Sequence, residues 1–282
     1  MPDRTLEIAD KARPAFRRAI IEATEKVRAG INVRALSEAI DTGRGLDAIS
    51  FEPGVAHLKR VLPALYRDLL EQSADAYGDW LKIEKASRRF GAARRLDVTD
   101  PYVTEWIRRR SGAMIQDWGT SNREALRAIL ETGMRQNMST SQLARWIRNS
   151  GIGLDERWAI AAQRYRERLL REGMDPARVE ALSRRYAERL LRLRAERIAK
   201  TESVMAATQG QLAYLRQLIA SGQLSPEAEL EWVTDFDERT CPLCSALDGE
   251  RKRVGELFEG GVDGPPRHPS CRCALKLVAP GY

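Results

Sequence analysis

Pro176-Ala-Arg-Val-Glu-Ala-Leu-Ser-Arg-Arg-Tyr-Ala-Glu-Arg-Leu-Leu-Arg-Leu-Arg-Ala-Glu-Arg-Ile-Ala-Lys200 is the stretch on which the fold class turns. Its residues alternate between small or apolar and charged at helical spacing, which predicts a helix from Ala177 to about Gln217 or Ile219. Downstream, Ser221-Gly222 ends the helical text. Upstream, Gly173-Met-Asp-Pro176 breaks it, and a second arginine-rich helix is expected from Arg157 to Arg171.

Working back to the N-terminus, the chain keeps reading as helix. Phe16, Ile20, Ala23 and Val27 recur at three- and four-residue spacing, with Arg17, Arg18, Glu22 and Lys26 between them. A short helix fits Val33 to Ile40, closed by Gly43 and Gly45. Leu58, Leu62, Leu65, Leu69 and Leu70 share a face of a longer run that continues through Trp80 and Ile83, with Pro63 as a kink or first-turn residue. After Asp100-Pro101 the pattern resumes with Val103, Trp106, Ile107 and Met114. Thr120-Ser121-Asn122 is suited to N-cap a further helix over Leu126, Ile129 and Leu130, and Ser139-Thr140-Ser141 to cap one from Gln142 to Ile147.

Beyond residue 225 the composition changes. Glu231 to Asp237 reads as a strand entering a turn, and Lys252-Arg-Val and Ala274 to Val278 as short extended pieces amid Gly and Pro. All four cysteines of the 282 residues fall here. Cys241-Pro-Leu-Cys244 places two thiolates on one tight turn, and His268-Pro-Ser-Cys271-Arg-Cys273 offers three more ligands. Asp248-Gly249 and Gly260-Gly261 supply turns that bring the halves together. The pattern predicts one tetrahedral Zn2+ held by Cys241, Cys244, His268 and either Cys271 or Cys273. Free thiols and a redox pair are the alternatives. Redox chemistry is disfavoured because a redox CxxC sits where a strand meets a helix. A Gly- and Pro-rich tail with little core of its own gains from such a staple.

The same residues carry a resemblance. Trp232 to Gly249, with Pro265-Pro-Arg-His-Pro-Ser-Cys-Arg-Cys273 and the helical run Arg194 to Glu202, resembles the Mu F-like minor head (head morphogenesis) family of tailed phages over roughly residues 120–280. The resemblance implies a head-assembly protein that associates with the portal, enters the procapsid and contacts DNA. It implies partners among portal, capsid or scaffold proteins, and a place in the virion, at the head interior or portal vertex, after assembly in the host cytoplasm. The first hundred residues would be a divergent portal-proximal part.

Charge is unevenly spread. Of 47 Lys+Arg and 40 Asp+Glu, residues 101–230 hold 22 and 15, a net +7, and residues 231–282 hold 7 and 9, a net −2. Arginines from Arg157 to Arg197, Arg166 and Arg194 among them, give the middle a basic surface. Arg164, Arg168, Arg171, Arg184, Arg185, Arg189 and Arg192 are the candidate contacts to double-stranded DNA, without sequence preference. Interspersed glutamates allow the alternative of a solvated face. Asp235, Asp237, Glu238 and Asp248 around the CxxC raise a nuclease alternative. That chemistry needs a general base beyond the metal ligands, and His57, in a distant helix, reads as a packed or surface residue. A prophage zinc-ribbon DNA-binding protein is a third class. No phosphate-binding or nucleophile-elbow motif occurs, and no catalytic residue is expected. No apolar stretch approaches the ~20 residues of a membrane span, and the first residues show no secretory signal.

The expectation is therefore a mostly α chain: an N-terminal helical region over 1–118, an arginine-rich helical part over 119–225, and a small zinc-stapled α+β module over 226–282.

Overall fold

The computed structural model describes residues 2–81, 95–234 and 240–278. Helices dominate: α1 (Pro2–Gly30), α2 (Val33–Asp41), α3 (Glu52–Leu81), α4 (Pro101–Arg135), α5 (Thr140–Trp146), a π-turn over Ile147–Gly151, α6 (Glu156–Arg171) and α7 (Pro176–Ala220). A small module follows, with β1 (Glu229–Val233), the one-turn helix α8 (Pro242–Ser245), β2 (Arg251–Arg253) and β3 (Ala274–Val278). The mostly α chain with a small C-terminal α+β module is the fold its sequence predicts.

Local chemistry accounts for most boundaries. Asn32 caps α2 by accepting from the amides of Arg34 and Ala35. Ser139 and Gln142 form a reciprocal capping box at α5, and Asp155 caps α6 through the Trp158 amide. Two expectations need correction, and one pair of alternatives narrows. Thr120-Ser121-Asn122 starts no helix, because α4 runs unbroken through it. The Asn122 side chain turns back to the Trp118 carbonyl (2.7 Å) and accepts the Gly153 amide (2.6 Å), so its capping chemistry is spent between elements. Pro63 lies well inside α3, which removes the first-turn alternative and leaves the mid-helix one. The strand read as Glu231 to Asp237 begins at Glu229 and ends at Val233, where Asp248 takes the next amide; Asp235 and Asp237 lie outside the described residues, as does Ile83.

The chain divides into two compact units. One comprises Arg17–Leu62 and Arg110–Glu196. Its core gathers Ile20, Ala23, Val27, Leu58, Leu62, Trp118, Leu126 and Ile129, all essentially buried. Gly54 permits a close approach here, since a Cβ would stand 2.7 Å from both the Ala23 carbonyl and the Trp118 ring. Arg194 is buried in the same unit, donating to the Gly153 carbonyl at 2.6 Å and to the Ser121 hydroxyl.

The other unit comprises Met1–Phe16, Pro63–Arg109 and Arg197–Tyr282. Tyr66 meets the Phe16 ring at a tilt (5.2 Å) and the Trp106 ring edge-on (5.5 Å), and donates to the buried Glu202 carboxylate at 2.6 Å. Gly210 of α7 lies directly on α3, where a Cβ would fall 2.4 Å from the Leu70 carbonyl oxygen. The antiparallel sheet has the order β2-β1-β3. Leu230 pairs with Leu277 and Trp232 with Leu275, all four buried, while Glu231 pairs with Arg251 across the exposed face. Phe258 closes the Trp232 ring edge-on at 5.4 Å.

Candidate metal centre

The centre is assembled from two turns. Cys241 caps α8, its thiol accepting the Cys244 amide at 3.4 Å, so the CxxC backbone itself aims both sulfurs to one side. The second turn, His268 to Cys271, closes through the Cys271 amide and the His268 carbonyl, with Ser270 at φ +63°. It is fastened to α7 by Thr201, whose hydroxyl accepts the Ser270 amide at 3.1 Å. Gln209 to Asp263 (2.7 Å) and Gln211 to the Leu275 carbonyl (3.2 Å) tie the flanking loop and strand to the same helix.

These turns bring together all five candidate ligands that the sequence offers for the four positions. Cys241, Cys244 and His268 form one triple and Cys244, Cys271 and Cys273 another, with ligand atoms in each within 4.8 Å of one another. His268 Nε2 lies 3.2 Å from Cys241 Sγ and 3.1 Å from Cys244 Sγ, and Cys244 Sγ lies 3.7 Å from Cys271 Sγ. A tetrahedral zinc with sulfur at about 2.3 Å has sulfur–sulfur edges of about 3.8 Å and sulfur–nitrogen edges of about 3.5 Å. The donor set is the soft thiolate and imidazole one that zinc takes, so the residues fit the ion. None of the four cysteines is in a disulfide.

Electrostatics describe a crowded thiol cluster. Burial pushes Cys244 up to about 12, helped by the Cys271 thiolate. Hydrogen bonding from Cys273 brings Cys271 down to about 5, and the same bond, with burial, drives Cys273 upward. The Cys244 amide lowers Cys241. At His268 burial opposes the charge, but the Pro269 carbonyl and the neighbouring thiolates outweigh it and raise the imidazole. Binding a cation would release the protons this cluster holds. The cavity beside Cys241, Cys244, His268 and Cys273 is about 30 Å³, the scale of one small ion or water.

The acidic residues do not gather as a second metal site among the described residues. Asp248 accepts both the amide and the hydroxyl of Thr234, at 2.8 and 3.0 Å, and so terminates β1. Asp235, Asp237 and Glu238 lie outside the described residues. His57 is packed on α3 in the unit that lacks the centre, with Nε2 3.2 Å from Glu22. Thr201 is the residue the sequence did not disclose as part of the centre, since a threonine within Lys200-Thr-Glu carries no ligand signal.

The arginines separate into two populations. Arg164, Arg168, Arg171, Arg184, Arg185, Arg189 and Arg192 are all exposed. Arg166 and Arg194, expected on the same basic surface, are instead buried; Arg166 pairs with Glu180 at 2.8 Å and Arg194 with Gly153 and Ser121. No helix among the described residues is long and apolar enough to cross a membrane.

No curated protein and no solved structure matches the chain. The family described as Phage Mu protein F like protein matches residues 167–276, from the end of α6 through both ligand turns into β3. The match is narrower than the resemblance over residues 120–280, and it includes every candidate ligand of the centre. Over residues 167–276 this chain is thus similar to the Phage Mu protein F like family.

Proposed function

We propose that the chain is a phage minor head protein that acts in head morphogenesis by binding rather than by catalysis. The observation that carries the reading is the coincidence of the Mu F-like match with the metal-ligating module, so that the family's segment and the stapled fold are one object. In this role the C-terminal module, closed on one Zn2+ through Cys241, Cys244, His268 and Cys271 or Cys273, is a rigid surface carried by α7. The helical part meets the portal protein or the capsid and scaffold interior, and packaged double-stranded DNA. The protein then resides in the virion, at the head interior or portal vertex. The ion supplies folding free energy and holds the two turns together; Thr201 fastens the second turn to α7, and Gln209 and Gln211 fasten the flanking loop and strand.

Binding is favoured over nuclease chemistry by how the polar groups are used. Asp248 is committed to Thr234, and no carboxylate joins either ligand triple among the described residues. The test is the protein content of purified particles. Mass spectrometry should find the chain in heads of the phage that encodes it, and deletion should leave heads defective. Heads that lack the chain and assemble normally without it would refute the reading.

A further inference from the structure

We propose that the outer face of the α6–α7 hairpin is the surface that holds duplex DNA, through two side-by-side rows of four arginines. The rows are Arg157, Arg164, Arg168 and Arg171 on α6, and Arg178, Arg185, Arg189 and Arg192 on α7. The inference rests on the reading that packaged DNA is a partner, and it assigns the residues that hold it.

Both rows have the same intervals of seven, four and three residues. At 3.6 residues per turn each row stays within an arc of ~60° and runs about 21 Å along its helix. All eight arginines are exposed. The faces diametrically opposite are the buried ones: Ala159, Ala162, Gln163, Arg166 and Leu169 on α6, and Val179, Ser183, Ala187, Leu190 and Arg194 on α7. Each row therefore forms the crest of its helix.

The crests open to one side. Tyr165 and Tyr186 stand eight residues after the first arginine of their rows, and their rings meet with centroids 4.6 Å apart. The same flank of each helix thus faces the other, as two antiparallel helices require when both crests point outward. This contact and the Arg166–Glu180 pair (2.8 Å) set a register in which Arg171 comes level with Arg178, Arg164 with Arg185 and Arg157 with Arg192. Arg184, ~110° round α7 from its row, is outside the pattern.

Six of the eight arginines have no ion-pair partner among the described residues. The other two make long exposed pairs, Arg168 with Glu172 at 3.7 Å and Arg171 with Glu167 at 4.0 Å, which cost little to exchange, and Arg168 also lies over the Tyr165 ring at 5.2 Å. Helices pack about 8–10 Å apart, so the rows can straddle the two phosphate strands that bound a minor groove about 6 Å wide. An open groove of about 990 Å³ lies along the α6 crest, where Arg157, Arg164, Arg168 and Arg171 outnumber the carboxylates of Glu156 and Glu167, and Ile160, Ala161, Tyr165 and Tyr186 complete the lining. An acidic protein helix would match the charge, but it would want large apolar anchors, and the rows hold arginine at every crest position.

The test is the salt dependence of binding to a 30-base-pair duplex of random sequence by the full chain. Wild type is compared with either row changed to Gln, with both rows changed to Lys, and with Arg60, Arg67, Arg127 and Arg145 changed to Gln, which removes equal charge from exposed sites elsewhere. Far-ultraviolet circular dichroism checks that each variant is folded. Each Gln row should lower the slope of log affinity against log salt by about three to four, and the affinity at least tenfold. The Lys variant and the control should keep the wild-type slope. Row variants that bind like wild type, or a control that loses as much as they do, would overturn the assignment while leaving DNA as a partner. So would row-dependent binding of poly-glutamate with duplex binding unchanged. Wild type that fails to bind duplex at 50 mM salt would overturn both the assignment and the DNA reading.

Discussion

The unit built on Arg17–Leu62 and Arg110–Glu196 and the module at residues 224–278 hold their shape by different means. The first buries whole helix faces, with Trp118, Leu58, Leu62, Leu126 and Ile129 essentially without exposure. The module has a few large side chains, chiefly Leu230, Trp232, Phe258, Leu275 and Leu277, together with polar ties to α7 and a ligand cluster that, in the proposed reading, an ion closes. Apolar burial is spread over many contacts and degrades gradually when one is lost. A metal cluster concentrates the same task in four or five atoms and fails when one ligand goes. Two regions of one chain should therefore respond differently to the same insult.

The largest effect should come from Cys244→Ser, because Cys244 belongs to both ligand triples. The variant should be cut by protease near residue 225 while far-ultraviolet circular dichroism retains the helical signal; an intact, protected module in the variant would erase the contrast. Arg194→Ala probes the other side. It removes the buried donor to Gly153 and Ser121 and leaves that carbonyl unpaired, so stability should fall by about 2–4 kcal/mol in urea titration with metal content unchanged. Gly210→Ala should cost about 1–3 kcal/mol, since the added carbon meets the Leu70 backbone, which cannot swing aside.

The smallest effect is a pH dependence. Burial lowers the pKa of His57, with Lys26 and Arg60 in the same direction, against the pull of Glu22. The unfolded chain, with a histidine near 6.5, then takes up the proton first. This contribution is fully present above about pH 6.5 and is lost as pH falls through the folded value. His57→Gln should flatten the acid limb of the urea midpoint against pH, and an unchanged limb would show that His57 does not supply it.

Much of this architecture could be read from residue order. The Phe16, Ile20, Ala23, Val27 repeat is buried along its whole length, Ser139 caps where its chemistry says it should, and the five ligands converge. What escaped were side chains whose role depends on a distant partner. Arg166 and Arg194 look like their exposed neighbours in sequence, and only the carboxylate or carbonyl brought to them makes them interior. Asn122 has the chemistry of a cap, yet it serves the Gly153 amide thirty-one residues away. Thr201 is an ordinary helical threonine until the Ser270 turn settles on it.

The central claim, that one ion staples the two ligand turns of the module to each other, is tested most directly by native mass spectrometry of the full chain purified without chelator. The predicted result is a mass exceeding the apoprotein by one zinc per chain, absent from the Cys244→Ser variant. An apoprotein mass for the wild type, with residues 225–278 still protected from protease, would contradict it.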